Sequence, residues 1–146
     1  MTRIPFILSA IALLGLASAP AEAQKTEDIK FNVKVDASKD GKVLCALYDD
    51  EDSWLSRDVF RHAKKKVGSS SWVTCTFKDV PPGTYGIAAI HDEDNDEEMD
   101  KTLGIPEEGY TTSRDAQNEG LYPDWEDAEF DFSASSSASQ MGHMKY

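Results

Sequence analysis

The chain has 146 residues, of which 27 are acidic and 15 are basic, so its formal net charge at pH 7 is −12. This charge repels nucleic-acid phosphates and anionic membrane surfaces, which argues against both as partners. The same charge attracts cations, although it would also serve solubility alone.

The N-terminus has the parts of a secretory signal peptide: a basic start, an apolar run over residues 4–16, and small residues at 21–23. The apolar run is shorter than the roughly 20 residues that cross a bilayer, and no second run follows, so we expect no membrane span. We predict a signal peptide over residues 1–23, with residues 17–19 as a rival cleavage site, and a periplasmic or secreted protein.

Several runs have the apolar alternation of β-strands. Ile29–Val35 is followed by a turn with an Asp-Gly signal and then by Lys42–Tyr48, which predicts a hairpin. Further strands are predicted at Trp72–Phe77 and Gly83–Ile90, separated by a Pro-Pro-Gly turn. Between the second and third strands, the spacing of four apolar residues predicts one short helix that ends near Gly68: Val59, Phe60, Ala63 and Val67. The positive charges of Lys64–Lys66 would then lie near the C-terminus of that helix, where they interact favourably with the helix dipole, and would not form an anion-binding patch.

Cys45 and Cys75 lie in two of these predicted strands. In an oxidising compartment an even pair of cysteines favours a disulfide, with two buried thiols as the alternative. The disulfide would close a loop of about 30 residues and contribute ~3–4 kcal/mol on the chain-entropy model. Neither cysteine has the neighbours of a catalytic or metal-binding pair.

An acidic segment follows the fourth strand and has the spacing of a calcium loop. Asp92, Asp94, Asp96 and Asp100 repeat positions 1, 3, 5 and 9 of that loop, and Glu98 would offer its carbonyl at position 7. Such oxygen ligands suit Ca²⁺, which is the one cofactor we predict.

The segment also departs from the EF-hand pattern. Glu97 stands where the loop needs glycine at position 6, and Leu103 stands where it needs a bidentate glutamate at position 12. Glu107 or Glu108 could fold back to supply the missing carboxylate. The alternative is a solvated acidic loop without a metal.

His91 adjoins this loop and is a further candidate ligand or acid–base group, although a lone histidine at a strand end more often has a structural role. The chain has no nucleophile elbow and no phosphate-binding glycine loop, so we predict that it is not an enzyme. An enzyme that uses His91 with nearby carboxylates is the less favoured alternative.

The C-terminal part contains a predicted closing strand, Trp125–Phe132, and a Ser-rich tail, residues 133–146, which we predict to be disordered. The folded domain would therefore span residues 24–132. Three aromatic residues before this strand or at its start could line a surface for a sugar or peptide, or could pin a long loop onto the domain: Tyr110, Tyr122 and Trp125.

Short strands separated by turn signals predict an all-β fold, an antiparallel β-sandwich with one short helix and a long acidic loop. A closed barrel is the alternative.

Three segments resemble an exported bacterial family, the domain of unknown function 2141: Val80–Tyr85, His91–Glu93 and Leu103–Tyr110. The resemblance covers about residues 29–132 and implies a transthyretin-like or immunoglobulin-like sandwich without an established activity. It places the family's loop pattern on Asp92, Asp94, Asp96 and Asp100. Here Asp94 and Asp96 replace the family's usual asparagines, Glu97 replaces its glycine, and residues 111–115 depart from its next motif.

The sequence therefore predicts an exported binding or structural module whose acidic loop binds Ca²⁺. Its partner is unknown, with a glycan or a cell-envelope protein as candidates. A carbohydrate- or peptide-binding accessory module is the alternative function.

Overall fold

The computed structural model describes residues 23–116 and 123–146, which form two packed β-sheets with little helix. The predicted signal peptide, apart from Ala23, and Tyr122 lie outside these residues. Among the helices of the described residues, none is both long and apolar enough to cross a membrane.

The first sheet has three strands: β1 (Glu27–Lys34), β4 (Trp72–Val80) and β10 (Ala138–His143). Their order is β10-β1-β4, and the central strand β1 is antiparallel to β4 and parallel to β10. Alternate residues of β1 point inward and are fully buried, as the period of two predicted: Ile29, Phe31 and Val33.

The strands of the second sheet are β2 (Lys42–Tyr48), β3 (Arg61–Lys66), β5 (Gly83–Asp92) and β8 (Gly109–Thr112). Their order is β3-β2-β5-β8, and every neighbouring pair is antiparallel. A further strand, β9 (Phe130–Phe132), pairs with the start of β5. A small hairpin lies between β5 and β8, formed by β6 (Lys101–Thr102) and β7 (Ile105–Pro106). In the part of the chain that the structure describes, the helical elements are a 3-10 turn, Ser113–Asp115, and the short helix α1, Trp125–Ala128.

The two sheets face each other across one apolar core, so the predicted β-sandwich is confirmed and the described sheets do not close into a barrel. The largest buried side chains in this core come from both sheets, with Phe31 and Phe77 from one and Leu47 and Ile87 from the other. The predicted disulfide is also confirmed, since Cys45 in β2 is bonded to Cys75 in β4 and links the sheets covalently.

The prediction of a helix over residues 59–67 is wrong, because Arg61–Lys66 forms the edge strand β3, paired with β2 over six positions. Ala63 is the one residue of this strand that is half-buried, and the other five are exposed. Because only one side chain of this edge strand is half-buried, its sequence lacks the alternation of apolar and polar residues from which a strand is predicted. Lysines on an edge strand also discourage pairing with other chains.

The predicted hairpin between the first two strands is wrong as well. β1 and β2 belong to different sheets, and the intervening turn carries the chain across the sandwich. Gly41 in this turn has φ +110°, and a Cβ there would collide with the backbone oxygen of Asp92. The glycine is thus required by a close approach to the end of β5 rather than by a two-residue hairpin.

The disordered tail is a third correction, since Ala138–His143 is strand β10 and pairs with β1 along its length. Its small residues fit a crowded position: a Cβ on Gly142 would lie 2.5 Å from Thr111 Oγ1 and 2.8 Å from the Phe31 ring. The predicted closing strand is correct only in its second half, because Trp125–Ala128 is helical and Phe130–Phe132 is a strand.

Candidate functional site

The acidic loop, residues 92–108, leaves the end of β5 and returns at the start of β8. Its two ends are held together because β5 and β8 are paired, with His91 opposite Gly109. The loop therefore projects from one end of the second sheet on a fixed stem, which is a common position for a binding site.

Aspartates of the first half of the loop bend the backbone around themselves. Asp92 is fully buried, and its two carboxylate oxygens accept hydrogen bonds from the backbone N–H groups of Asp96 and Glu97, each at 3.1 Å. Asp94 Oδ1 also accepts from the Asp96 N–H at 3.2 Å, and Asp96 Oδ1 accepts from the N–H of Glu98 at 2.8 Å. These bonds bring the carboxylates toward one centre.

Glu108 closes the loop from its other end. Its side chain is nearly buried, with Oε1 accepting from the Glu93 N–H at 2.8 Å and Oε2 from the Asp100 N–H at 3.4 Å. Desolvation raises the pKa of the Glu108 carboxyl, and the charges of Asp92 and Asp100 add to the rise against the two backbone bonds. Of the two glutamates predicted to fold back, Glu108 is the one whose carboxylate lies close to those of Asp94 and Asp100.

The carboxylates form two overlapping clusters that share Asp94: Asp92, Asp94 and Asp96 in one, and Asp94, Asp100 and Glu108 in the other. Within each cluster, one oxygen from each residue lies within 4.8 Å of the others. Desolvation raises the pKa of Asp100, and the charges of Asp94 and Asp96 raise it further. Both clusters therefore concentrate negative charge that a cation would neutralise.

The outer side of the loop is held by basic residues of the second sheet. Lys42 Nζ lies 3.2 Å from Asp92 Oδ2 and 3.1 Å from Glu97 Oε1, and Lys64 Nζ lies 3.0 Å from the same Glu97 oxygen. The ion pair with Lys64, followed by that with Lys42, lowers the pKa of Glu97. Sequence reasoning missed these lysines, because their position depends on the pairing of β2 with both β3 and β5.

The Glu97 carboxylate belongs to neither cluster, although the Glu97 backbone makes the turn that the loop requires. Its φ of 67° lies in the left-handed region, where a calcium loop would carry glycine. Asn95 has the same φ, and asparagine tolerates it better than most residues. The glycine missing from the sequence has therefore not prevented the tight turn.

The remaining predicted loop ligands have different surroundings. The Glu98 side chain pairs with Arg57 at 3.4 Å, so only its carbonyl stays available for the predicted role. Glu107 accepts a hydrogen bond from the Thr102 hydroxyl at 2.7 Å and belongs to neither carboxylate cluster. Leu103 is 97% exposed at the tip of the β6–β7 hairpin.

His91 points into the protein and away from the clusters. It is fully buried, with Nε2 2.9 Å from the Asp40 carbonyl and Nδ1 2.7 Å from the Tyr146 hydroxyl. A carbonyl can only accept, so Nε2 carries the proton and Nδ1 accepts from Tyr146. Both ring nitrogens are thereby committed to structural hydrogen bonds, which leaves neither for a metal.

The predicted aromatic surface is not assembled by the described residues. Trp125 is buried against Trp54, with ring centroids 5.5 Å apart, and packs over Gly86. Tyr110 instead lines a groove of about 620 Å³ on the outer face of the second sheet, and Trp125 is absent from the lining of that groove. This packing of Trp125 agrees with the predicted role of pinning a long loop onto the domain.

Comparison with protein families identifies the chain as a member of one of them. Residues 31–140 match the family described as an uncharacterized protein conserved in bacteria, DUF2141, and the chain belongs to this family. Comparisons with curated proteins and with solved structures gave no match.

Proposed function

We propose that this member of the DUF2141 family is an exported β-sandwich whose acidic loop binds Ca²⁺, and that the bound ion stiffens one end of the domain. The observation that supports it best is the pair of carboxylate clusters joined through Asp94. Together they offer carboxylates from Asp92, Asp94, Asp96, Asp100 and Glu108, to which the Glu98 carbonyl is added.

The chemistry of these donors favours calcium among the common cations. All of them are hard oxygens, whereas Zn²⁺ is usually bound through histidine or cysteine. His91 has both nitrogens engaged, and both cysteines form the disulfide. Ca²⁺ accepts six to eight oxygens in flexible geometry, while Mg²⁺ demands a near-ideal octahedron that an irregular loop supplies less readily.

The alternative, a solvated acidic loop, draws support from the ion pairs on its outer side. Those pairs, however, engage mainly Glu93, Glu97 and Glu98, whose carboxylates lie outside both clusters. Asp94, Asp96 and Asp100 have no cationic side chain within ion-pair distance among the described residues. Their mutual repulsion is what a divalent cation would remove.

Export is proposed from the N-terminal segment and is compatible with the disulfide, since structural disulfides persist in oxidising compartments. A binding or structural role follows from the same observations. The two rigid sheets and the stem of the loop supply a scaffold, and a bound ion would add a cross-link at its end.

The test is calorimetric titration of the chain without residues 1–23, first stripped of metal, with Ca²⁺ and separately with Mg²⁺. We expect calcium to bind and to raise the midpoint of thermal unfolding, with a weaker response to magnesium. Asp94→Ala should weaken calcium binding at least tenfold, because Asp94 belongs to both clusters. Absence of heat and of any thermal shift at millimolar calcium would overturn the proposal.

The matched control is Glu51→Ala, which removes the same charge from an exposed residue outside the loop. It should leave calcium affinity unchanged. Equal losses in Asp94→Ala and Glu51→Ala would mean that calcium senses only the overall charge, and the site would be rejected.

A further inference from the structure

We propose that Tyr146 is a positioning residue that clamps the stem of the acidic loop and so pre-organises its carboxylates. This inference rests on the proposed function, since it names a residue that acts on the same site without touching the ion. It is carried by contacts outside the carboxylate clusters.

The hydroxyl of Tyr146 joins two separate segments. It donates to His91 Nδ1 at 2.7 Å and accepts from the Asp36 N–H at 3.0 Å. His91 in turn donates from Nε2 to the Asp40 carbonyl at 2.9 Å. The residue directly before Asp92 is thereby tied to the turn between the two sheets.

The ring of Tyr146 covers the other end of the loop. A Cβ on Gly109 would lie 2.5 Å from the ring, so the glycine allows a contact that a larger residue would prevent. Gly109 directly follows Glu108, which closes the loop. One side chain therefore contacts the residue before the first carboxylate and the residue after the last.

Lys39 links the clamp to the loop a second time. Its ammonium lies 5.0 Å from the centroid of the Tyr146 ring and 2.8 Å from Glu93 Oε1. The Glu93 N–H is one of the two that Glu108 binds. Loss of the ring would thus remove one of the contacts that position Lys39, which would keep its ion pair with Glu93.

Tyr146 is itself held by the sheets and not by the loop. Met144 donates its N–H to the Lys34 carbonyl at 2.9 Å, and Lys145 exchanges two backbone hydrogen bonds with Tyr110, at 2.9 and 3.0 Å. The clamp is therefore anchored before any ion binds. A loop that is already ordered loses less conformational entropy when it takes up a ligand.

The test compares Tyr146→Phe, which keeps the ring and loses the hydroxyl, with Tyr146→Ala, which loses both. Two quantities are measured: calcium affinity by calorimetry, and amide hydrogen exchange at Glu93, Asp96, Glu97 and Asp100 without calcium. In Tyr146→Ala we expect about tenfold weaker calcium binding and faster exchange at Glu93 and Asp100, because the stem opens. Tyr146→Phe should recover part of both effects.

Met141→Ala is the control, since Met141 is a half-exposed side chain on strand β10, which ends three residues before Tyr146. It should change neither quantity. Exchange in Tyr146→Ala at the wild-type rate would overturn the clamp. A wild-type protein that binds no calcium would overturn the proposed function, while the exchange rates would still decide whether Tyr146 holds the stem.

Discussion

At the scale of single residues, the ammonium of Lys42 lies where it would compete with a bound calcium ion for an oxygen of Asp92. Its ammonium lies 3.2 Å from Asp92 Oδ2, and Asp92 is fully buried. We expect Lys42→Met to raise calcium affinity severalfold, because the ion no longer competes with an ammonium for that oxygen. Without calcium the same variant should unfold several degrees lower, because a buried carboxylate has lost its counter-ion.

Titration calorimetry and thermal unfolding, each with and without calcium, separate these opposite effects. The control is Lys66→Met, which removes the cross-strand neighbour of Lys42 from an exposed position. Weaker calcium binding in Lys42→Met would show that the lysine helps to hold Asp92 for the metal instead of competing with it.

Glu97 offers a second residue-scale prediction, because its backbone has a conformation that favours glycine. We expect Glu97→Gly to bind calcium as tightly as the wild type or a few times more tightly, since the side chain pairs with lysines outside the clusters. The control is Glu98→Gly, where φ is not positive and glycine only makes the calcium-free loop more flexible, so that more conformational entropy is lost on binding. That control should weaken binding; a loss confined to Glu97→Gly would assign its carboxylate a role in the site.

The loop carboxyls also predict how stability depends on pH. The folded-state pKa values of Asp100 and Glu108 are raised above their ordinary values of 3.8 and 4.5, chiefly by desolvation. Their protonation therefore stabilises the calcium-free fold below those ordinary values, and the contribution is lost as the pH rises through the raised values. Calcium affinity should change in the opposite direction and fall as these carboxyls take up protons.

Glu108→Gln isolates this effect, because the amide cannot ionise. The measurement is the midpoint of thermal unfolding of both proteins without calcium, across the acid range. The wild type should lose stability relative to the variant as the pH rises. The variant also loses one hydrogen bond that the carboxylate accepted, but that cost does not depend on pH and only shifts the whole curve. Parallel curves would show that Glu108 ionises without penalty.

At the scale of elements, the strands that were predicted correctly are those with one face in the core. β2, β4 and β5 place apolar residues at alternate positions, and that local pattern is visible in the sequence. β3 and β10 have few inward side chains and depend on partners distant in the sequence, β2 and β1 respectively. Their formation is decided by backbone pairing, which composition does not reveal.

The docking of β10 can be tested at Gly142, where a Cβ would meet Thr111 and Phe31. Gly142→Ala should destabilise the protein by about 1–3 kcal/mol, the usual effect of overpacking a filled site. Gly68→Ala is the control, since nothing lies within 4 Å of a Cβ there. Urea unfolding measures both, and an unchanged midpoint in Gly142→Ala would mean that β10 contributes little to the fold.

In the candidate site, too, the features set by neighbouring residues could be predicted, whereas those set by contacts between distant parts of the chain could not. The spacing of Asp92, Asp94 and Asp96 located one cluster, because alternate residues of one loop can reach one centre. The roles of Lys42 and Tyr146 depend on sheet pairing and on a strand predicted to be disordered. Sequence alone could therefore locate the candidate ligands but not the groups that hold them in place.

At the scale of the whole molecule, the disulfide between Cys45 and Cys75 joins the two sheets, and its contribution can be separated from that of the loop stem. Replacing both cysteines with alanine should lower the free energy of unfolding by ~3–4 kcal/mol, because the unfolded chain regains the freedom of a loop of about 30 residues. Calcium affinity of the folded variant should stay at the wild-type value. The stem is held by the β5–β8 pairing and by Tyr146, and neither depends on the disulfide. Urea unfolding and calorimetry of the double variant measure the two quantities, and a joint loss would mean that the spacing of the sheets, rather than the stem, sets the geometry of the carboxylates.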